Sequence, residues 1–414
     1  MLASHPIRVH HHARKIRYDA RTTESNDDLP CQGGGTRSVK TETDTLIVGA
    51  GPAGLAVGAV LRRANVPFVI LERAQHVGES WRRHYDRLHL HTPKRFSSLP
   101  YRAFPDTYPQ FPSRQQVVDY LADYARAFDI APELGREVQR VARGDDGAWE
   151  TFTNAATYRS RRVVIAMGYN CVPNLPRWPG QDTFTGPVIH SSEYKNGEAF
   201  RGRRVLVIGF GNSGAEIALD LAEHGARCAI SVRGKVNVVP RQVLGVPITM
   251  FALASRPLPP RIADRMNRLT VRLTIGSLAP TGLVKSDVGP LETIKERRKI
   301  PVIDVGTMAR IRRGDIQVRK GVESFAGHEA RFANGARELF DAVVLATGFT
   351  TGLAAMLPDH LSVLDERECP RVTGGESAVP GLYFCGYDLT STGMLRQIGI
   401  EAKAIGRGIV SSQR

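Results

Sequence analysis

The stretch TDTLIVGAGPAGLAVGAVLRRANVPFVILER, residues 43–73, decides the fold. TLIV is a short apolar strand run, and GAGPAG behind it supplies Gly49, Gly51 and Gly54. A helix-like stretch continues to Asn65, and PFVIL reads as a second strand ending at Glu72. Strand, glycine loop, helix and strand within about 30 residues make a βαβ unit that holds a dinucleotide. Gly49 permits the tight turn, Gly51 lets the backbone approach a pyrophosphate, and Gly54 allows helix and strand to pack closely. Pro52 and Ala53 open the helix, whose free N–H groups and partial positive charge face the phosphates. Glu72, with Arg73 beside it, can accept hydrogen bonds from the adenosine ribose hydroxyls.

The same pattern returns in RRVLVIGFGNSGAEIALDLAEHGARCAISVRG, residues 203–234, with Gly209, Gly211 and Gly214. Asn212 and Ser213 open its helix, and its second strand ends at Val232. The next residue is Arg233, where an acid would accept from a ribose 2′-hydroxyl. Arginine pairs instead with a 2′-phosphate, so NADPH is expected in preference to NADH. The alternative is that Arg233 is an ordinary surface residue at a strand end.

Two more apolar runs end in glycine: RRVVIAMG (161–168) at Gly168, and FDAVVLATGF (340–349) through Ala346, Thr347 and Gly348. Short strand-like pieces precede each, the second with an Asn-Gly turn. Each nucleotide unit therefore closes with a small meander and a return strand, which predicts two related α/β domains, one inserted in the other. Residues 43–180 and 338–414 are expected to form the outer, discontinuous domain, and 181–337 the inserted one. Within the insert, 243–290 is expected to be irregular or helical cover over the substrate entrance. PGLYFCGYDLTSTGMLRQIGIEAKAIGRGI (380–409), which contains Gly386, reads as strand, loop and amphipathic helix returning to the first domain.

Residues 78–128 lie between the first βαβ unit and its meander. Their proline-rich part is irregular, and SRQQVVDYLADYARAF is a helix with a capping box from Ser113 and Gln116. Val117, Leu121, Tyr124 and Phe128 follow helical spacing and are core positions. Trp81, Arg82, His91 and Thr92 have the mixed aromatic and polar character of a flavin wall.

The chain has 414 residues, too many for one ordinary core. Its five cysteines show no C-x-x-C pair and no metal-ligand spacing, which points to a reducing compartment, a cytoplasmic location and no dithiol chemistry. Net charge is +15, but the basic residues are interleaved with acids and lack aromatic partners, so nucleic acid is not the expected partner. A solvated surface together with attraction for anionic cofactors accounts for the charge. The most apolar window, residues 243–254, is about half a bilayer span, and no transmembrane segment is expected. Residues 1–42 lack apolar periodicity and a signal-peptide core, so a disordered tail is expected. A mis-assigned start codon explains that segment equally well. A homodimer is compatible with the sequence.

The stretch FTGPVIHSSEYK, residues 184–195, gives the chain a family resemblance. Phe184, Gly186, His190, Tyr194 and Lys195 match F-x-G-x-x-x-H-x-x-x-[YF]-[KR], the identifying sequence of class B flavin-dependent monooxygenases. VLATGF, residues 344–349, resembles that family's second ATG-type motif; the first stands here as Ala166-Met167-Gly168. YDRLHLHTPKRFSSLPYRAFPDTYPQFPS and GPLETIKERRKIPVIDVG resemble blocks of the YUCCA-type enzymes within it, and the likeness spans most of residues 43–405. The resemblance implies FAD in the outer domain, NADPH in the insert, molecular oxygen, a C4a-(hydro)peroxyflavin and a small organic substrate. Oxidative decarboxylation of indole-3-pyruvate to indole-3-acetate and N- or S-oxygenation are the reactions it offers. His190 is then a domain linker or NADP-positioning residue rather than a proton donor. Two other readings share the scaffold: an NADPH oxidase or reductase releasing peroxide, and an FAD-binding redox sensor without turnover.

Overall fold

The computed structural model of the chain describes residues 39–412, and the tail expected to be disordered lies outside them up to residue 38. The first sheet has seven strands. Val39–Val48 runs parallel to Phe68–Glu72 on one side and to Thr157–Ile165 on the other. Glu133–Leu134 and Leu382–Phe384 extend the parallel part at its two edges. Trp149–Thr153 and Val138–Arg143 add the antiparallel meander to the lower half of Thr157–Ile165. Leu46, Ile47, Val163 and Val164 are fully buried at the centre, as strands covered on both faces require.

Strand order starts at Val39, so residues 39–42 do not belong to a tail. Thr41, Glu42 and Thr43 pair with Tyr158, Arg159 and Ser160. Their alternating polar character reads as loop in sequence, and cross-strand partners stabilise it as strand.

The helix Pro52–Arg63 follows the first glycine loop, and nine consecutive residues from Ala53 to Leu61 are buried in it. The last helix, Met394–Ser411, lies against it so closely that a Cβ on Gly406 would overlap Val60. The chain's end thereby returns to its first domain, as the amphipathic pattern of 394–409 predicts.

The second sheet has five strands, in the order Ile316–Arg319, Arg227–Ser231, Arg204–Ile208, Ala342–Leu345, Val188–His190. All its pairs are parallel. Ala342–Leu345 hydrogen-bonds here and not in the first sheet, which moves the expected boundary at 337/338 to the residues after Leu345. Either sheet ends beside a glycine that could follow this apolar run, and only non-local pairing decides between them. Val322–Ala326, Glu329–Phe332 and Arg337–Leu339 form the preceding antiparallel meander.

The two chain crossings between the sheets meet. Val172–Pro173, after the first return strand, pairs antiparallel with Phe349–Thr350, after the second. Segment 243–290 forms a hairpin and the helices Ile248–Ala254 and Pro260–Ile275, followed by the helix Pro290–Arg297. Among the described residues no helix is long and apolar enough to cross a membrane.

Candidate active site

The first glycine loop is built by close contacts at two glycines and an open space at the third. Gly49 turns at φ +102, and its N–H donates to Leu71 O at 2.7 Å. A Cβ on Gly54 would overlap Gly49 O, so only glycine lets the helix meet the strand there. A Cβ on Gly51 would meet nothing within 4 Å. That open cradle at a helix N-terminus, where Pro52 and Ala53 start the first turn, suits a pyrophosphate. The Glu72 carboxylate accepts from the N–H of Ala50 at 2.7 Å and of Ala74 at 2.9 Å, which fixes it at the mouth of the loop. Arg73 beside it is exposed. Gly386 lies against Ala53, and its N–H donates to the buried Glu401 at 2.6 Å. Burial raises the Glu401 pKa.

The second loop repeats the plan. Gly209 donates its N–H to Ser231 O at 3.0 Å, and a Cβ on it would overlap Ala346 O. A Cβ on Gly214 would overlap Gly209 O, whereas one on Gly211 would meet nothing within 4 Å. Asn212 is already engaged: its side chain accepts from Ile303 N at 2.8 Å and donates to Pro301 O at 3.2 Å. Its amide therefore holds a loop rather than facing a ligand. Ser213 hydrogen-bonds Tyr85. Arg233 is exposed and forms no hydrogen bond or ion pair among the described residues. The loop after Ile316–Arg319 borders it, since a Cβ on Gly321 would lie 3.4 Å from Arg233 Cβ. That loop presents Lys320, also exposed, whose carbonyl accepts from Ser231 Oγ at 2.9 Å. Sequence reading did not single out Lys320; its only signal is a basic residue after a strand edge.

The residues of FTGPVIHSSEYK each join parts of the fold. Phe184 is buried edge-on to Phe325 at 5.6 Å, and a Cβ on Gly186 would overlap Asp341 O. Tyr194, buried, donates to Asp220 Oδ2 at 2.6 Å on the helix Asn212–Glu223. Lys195 Nζ reaches back to the first domain and donates to Arg83 O at 2.7 Å. His190 holds the crossing: its Nδ1 accepts from Ser192 N at 3.2 Å, so its Nε2–H donates to Gly348 O at 3.1 Å. Its ring meets Phe349 edge-on at 4.9 Å. Burial lowers its pKa, which keeps the imidazole neutral near pH 7. Thr347 and Asn174 complete the crossing, with Thr347 Oγ1 donating to Asn174 O at 2.5 Å. Gly168 and Gly348 turn at positive φ, +89 and +84, at the ends of the two return strands.

Between the two units lies a seam. His91 Nε2 sits 2.6 Å from Glu216 Oε1, joining the 84–92 segment to the helix of the second loop. Tyr85 hydrogen-bonds the same Glu216, and burial pushes its pKa well up. His84, nearby, is pushed down to about 4 by burial, against the pull of Glu216. Trp81 packs against the apolar cores of both units. Thr92 bonds Ser97 at 2.7 Å and closes on Gly393, whose Cβ would lie 2.9 Å from Thr92 Cγ2. Arg82 supports the local fold instead: its carbonyl accepts from Arg114 Nη1 at 3.0 Å.

A cavity of about 370 Å³ is lined by Ser255, Arg256, Leu291, Lys295, Arg298 and Thr392 among others, Thr392 being the neighbour of the Gly393 that closes on Thr92. Arg298 is fixed by Asp365 at 3.1 Å and Tyr387 O at 3.1 Å. Arg256 and Lys295 are exposed and carry no partner among the described residues. No cluster of metal-ligating side chains occurs among the described residues.

Two glycine cradles of this kind, joined by a motif-bearing linker, define a flavoprotein of the two-dinucleotide class. Residues 46–243 match the family model described as pyridine nucleotide-disulphide oxidoreductase. The four described cysteines are all free. The flavin-containing monooxygenase of Stenotrophomonas maltophilia has the same fold, with a TM-score of 0.66, 22% identity, and coverage of 90% of this chain and 99% of that one. The chain is 41% identical over 335 residues to indole-3-pyruvate monooxygenase YUCCA6 of Arabidopsis thaliana, covering 78% of this chain and 80% of that protein. It is 38% identical to the YUCCA4 enzyme of Oryza sativa subsp. japonica, with 88% and 87% covered. The chain belongs to the YUCCA family of flavin-dependent monooxygenases. It is an FAD- and NADPH-dependent oxidoreductase that acts on a small molecule with oxygen.

Proposed function

We propose that this chain oxygenates an organic 2-oxo acid, indole-3-pyruvate being the first candidate, and releases the shortened acid and carbon dioxide. The balanced reaction takes indole-3-pyruvate, O₂, NADPH and H⁺ to indole-3-acetate, CO₂, NADP⁺ and water. The carrying observation is the cavity whose lining includes Arg256 and Lys295, both without a side-chain partner among the described residues. A carboxylate is the group that such free cations attract. The relatives' names point to the same substrate class.

In this reading Gly49, Gly51, Pro52, Ala53, Gly54, Glu72 and Gly386 hold FAD, and Gly209, Gly211, Ser213, Gly214, Arg233 and Lys320 hold NADPH. The outer domain then comprises the first sheet with the chain after Gly348, and the insert runs from about residue 181 to Leu345. When bound, these cofactors supply the electrons and activate the oxygen. The chain's own residues bind, orient and exclude water. His91, Thr92 and Glu216 line the seam where the two rings must meet. His190 fixes the crossing and takes no proton from substrate, being neutral and hydrogen-bonded at both nitrogens. The free cysteines fit a reducing cytoplasmic location.

Coupling tests the proposal. NADPH, oxygen and indole-3-acetate should be consumed and formed in equal amounts, with peroxide a minor product. Peroxide matching NADPH, with no acid formed from any 2-oxo acid tried, would overturn it.

A further inference from the structure

The helix Pro260–Ile275 presents an apolar stripe to the outside. Its inner side is anchored: Ala263 and Ile275 are buried, and Val271 packs on the core of the second unit. Asp264 on the same side accepts from the N–H of Leu291 at 3.1 Å and Glu292 at 3.0 Å, capping the helix Pro290–Arg297. Its outer side carries Ile262, Met266 and Leu273, which are 50%, 66% and 76% exposed. Spacings of four and seven residues put these three on one face. Burying such residues is the ordinary outcome in water, and here the helix is held so that they stay out.

The charge beside the stripe is of one sign. Arg265, Arg268 and Arg272 are exposed and make no ion pair among the described residues, while Arg261 pairs with Glu292 and Glu296. The helix contains one acid, Asp264, and that acid is used inward. An anchored helix with a ready-made apolar stripe and arginines well in excess of its one acid has the composition of an interfacial helix. We propose that Pro260–Ile275 is a docking face for a phospholipid bilayer with anionic headgroups. Ile262, Met266 and Leu273 enter the acyl boundary, and Arg265, Arg268 and Arg272 meet the headgroup charge.

Other occupants fit the same face less well. A second copy on a two-fold axis would set these arginines against their own symmetry mates, with no acid of the helix free to neutralise them. Nucleic acid would leave the apolar stripe against phosphates that desolvate none of it. The overall +15 charge attracts any anionic surface, so the stripe is what distinguishes this helix from general basicity.

Flotation of the FAD-loaded full chain with phosphatidylcholine vesicles, with and without phosphatidylglycerol, tests the proposal. The chain should float with the anionic vesicles and stay below with the neutral ones. The double variant Met266→Glu/Leu273→Glu keeps every arginine and should lose most of its flotation. Arg268→Gln and Arg272→Gln should each weaken binding about fivefold. Thermal unfolding and NADPH oxidation in free solution should be unchanged in all of these, since none touches the cavity or the glycine loops. No flotation of the wild type, or flotation equal in wild type and Met266→Glu/Leu273→Glu, would overturn the proposal. So would a dimer in light scattering that the double variant converts to monomer, which would assign the stripe to a second copy.

Discussion

His91 Nε2 lies 2.6 Å from Glu216 Oε1, and this pair ties the two cofactor units together across the seam. The two side chains are 18% and 4% exposed. An interaction so placed holds the two glycine loops in one relative position, because His91 stands on the segment after the first βαβ unit and Glu216 on the helix of the second.

Glu216→Ala removes one half of that pair, takes the partner from His91 and leaves Tyr85 with Ser213 alone. The loss should cost about 3 kcal/mol of stability, the range for a broken buried charged partner. Glu216→Gln should restore much of the stability. Calorimetry gives the stability difference. Anaerobic mixing with NADPH should show slower flavin bleaching in Glu216→Ala at equal FAD content, which mere loosening of the fold would not produce.

Gly51→Ala and Gly54→Ala separate ligand space from packing space. A Cβ on Gly51 meets no protein atom, so that variant should fold and lack the yellow of bound FAD. FAD binds the native state alone, and its absence should lower the melting temperature. A Cβ on Gly54 overlaps Gly49 O, and overpacking should cost 1–3 kcal/mol or more before any ligand is added, on the order of known cases. A fully yellow Gly51→Ala would remove this loop from the flavin site.

Arg233→Ala should raise the KM for NADPH roughly tenfold or more, the worth of a charge-assisted contact. The KM for NADH should hardly change. Lys320→Ala should act in the same direction with a smaller effect. An equal effect on both nucleotides would return Arg233 to the surface.

Stability should fall as pH drops from 6.5 towards 4. His84 is held down to about 4, chiefly by burial, and burial lowers His190 and His360 as well. The unfolded chain binds protons at these rings near 6.5 while the folded one does not, so unfolding takes up protons throughout that window. The contribution is complete above 6.5, and His84 alone accounts for roughly 3 kcal/mol of the loss. Glu401, raised by burial, works in the opposite sense. The readout is therefore the difference between wild type and His84→Gln in melting temperature against pH, which should be flatter for the variant.

Both βαβ units, the capping box at Ser113 and Gln116 and the returning C-terminal helix were legible in the sequence, because each rests on local spacing. The pairing of Ala342–Leu345 with the second sheet was not, since an apolar run followed by glycine suits either sheet and its partners are more than 100 residues away in sequence for Arg204–Ile208. Asn212 looked like a ligand contact, but its side chain is engaged by Pro301 and Ile303, a neighbourhood that no motif encodes. Glu216 was not singled out in the sequence, because no motif marks it. The signal was present nonetheless: Ala215, Ile217, Ala218, Leu219 and Leu221 surround it, and a helix apolar on all sides leaves no solvent face.

In the proposed function both cradles fill together, and the seam at His91 and Glu216 brings flavin and nicotinamide into contact. Adding NADPH without oxygen to the FAD-loaded protein, and following the flavin absorbance, tests this most directly. The yellow should bleach at least as fast as steady-state turnover, and admitted oxygen should restore it. A flavin that stays oxidised in saturating NADPH would contradict joint occupancy of the two cradles with their rings in contact.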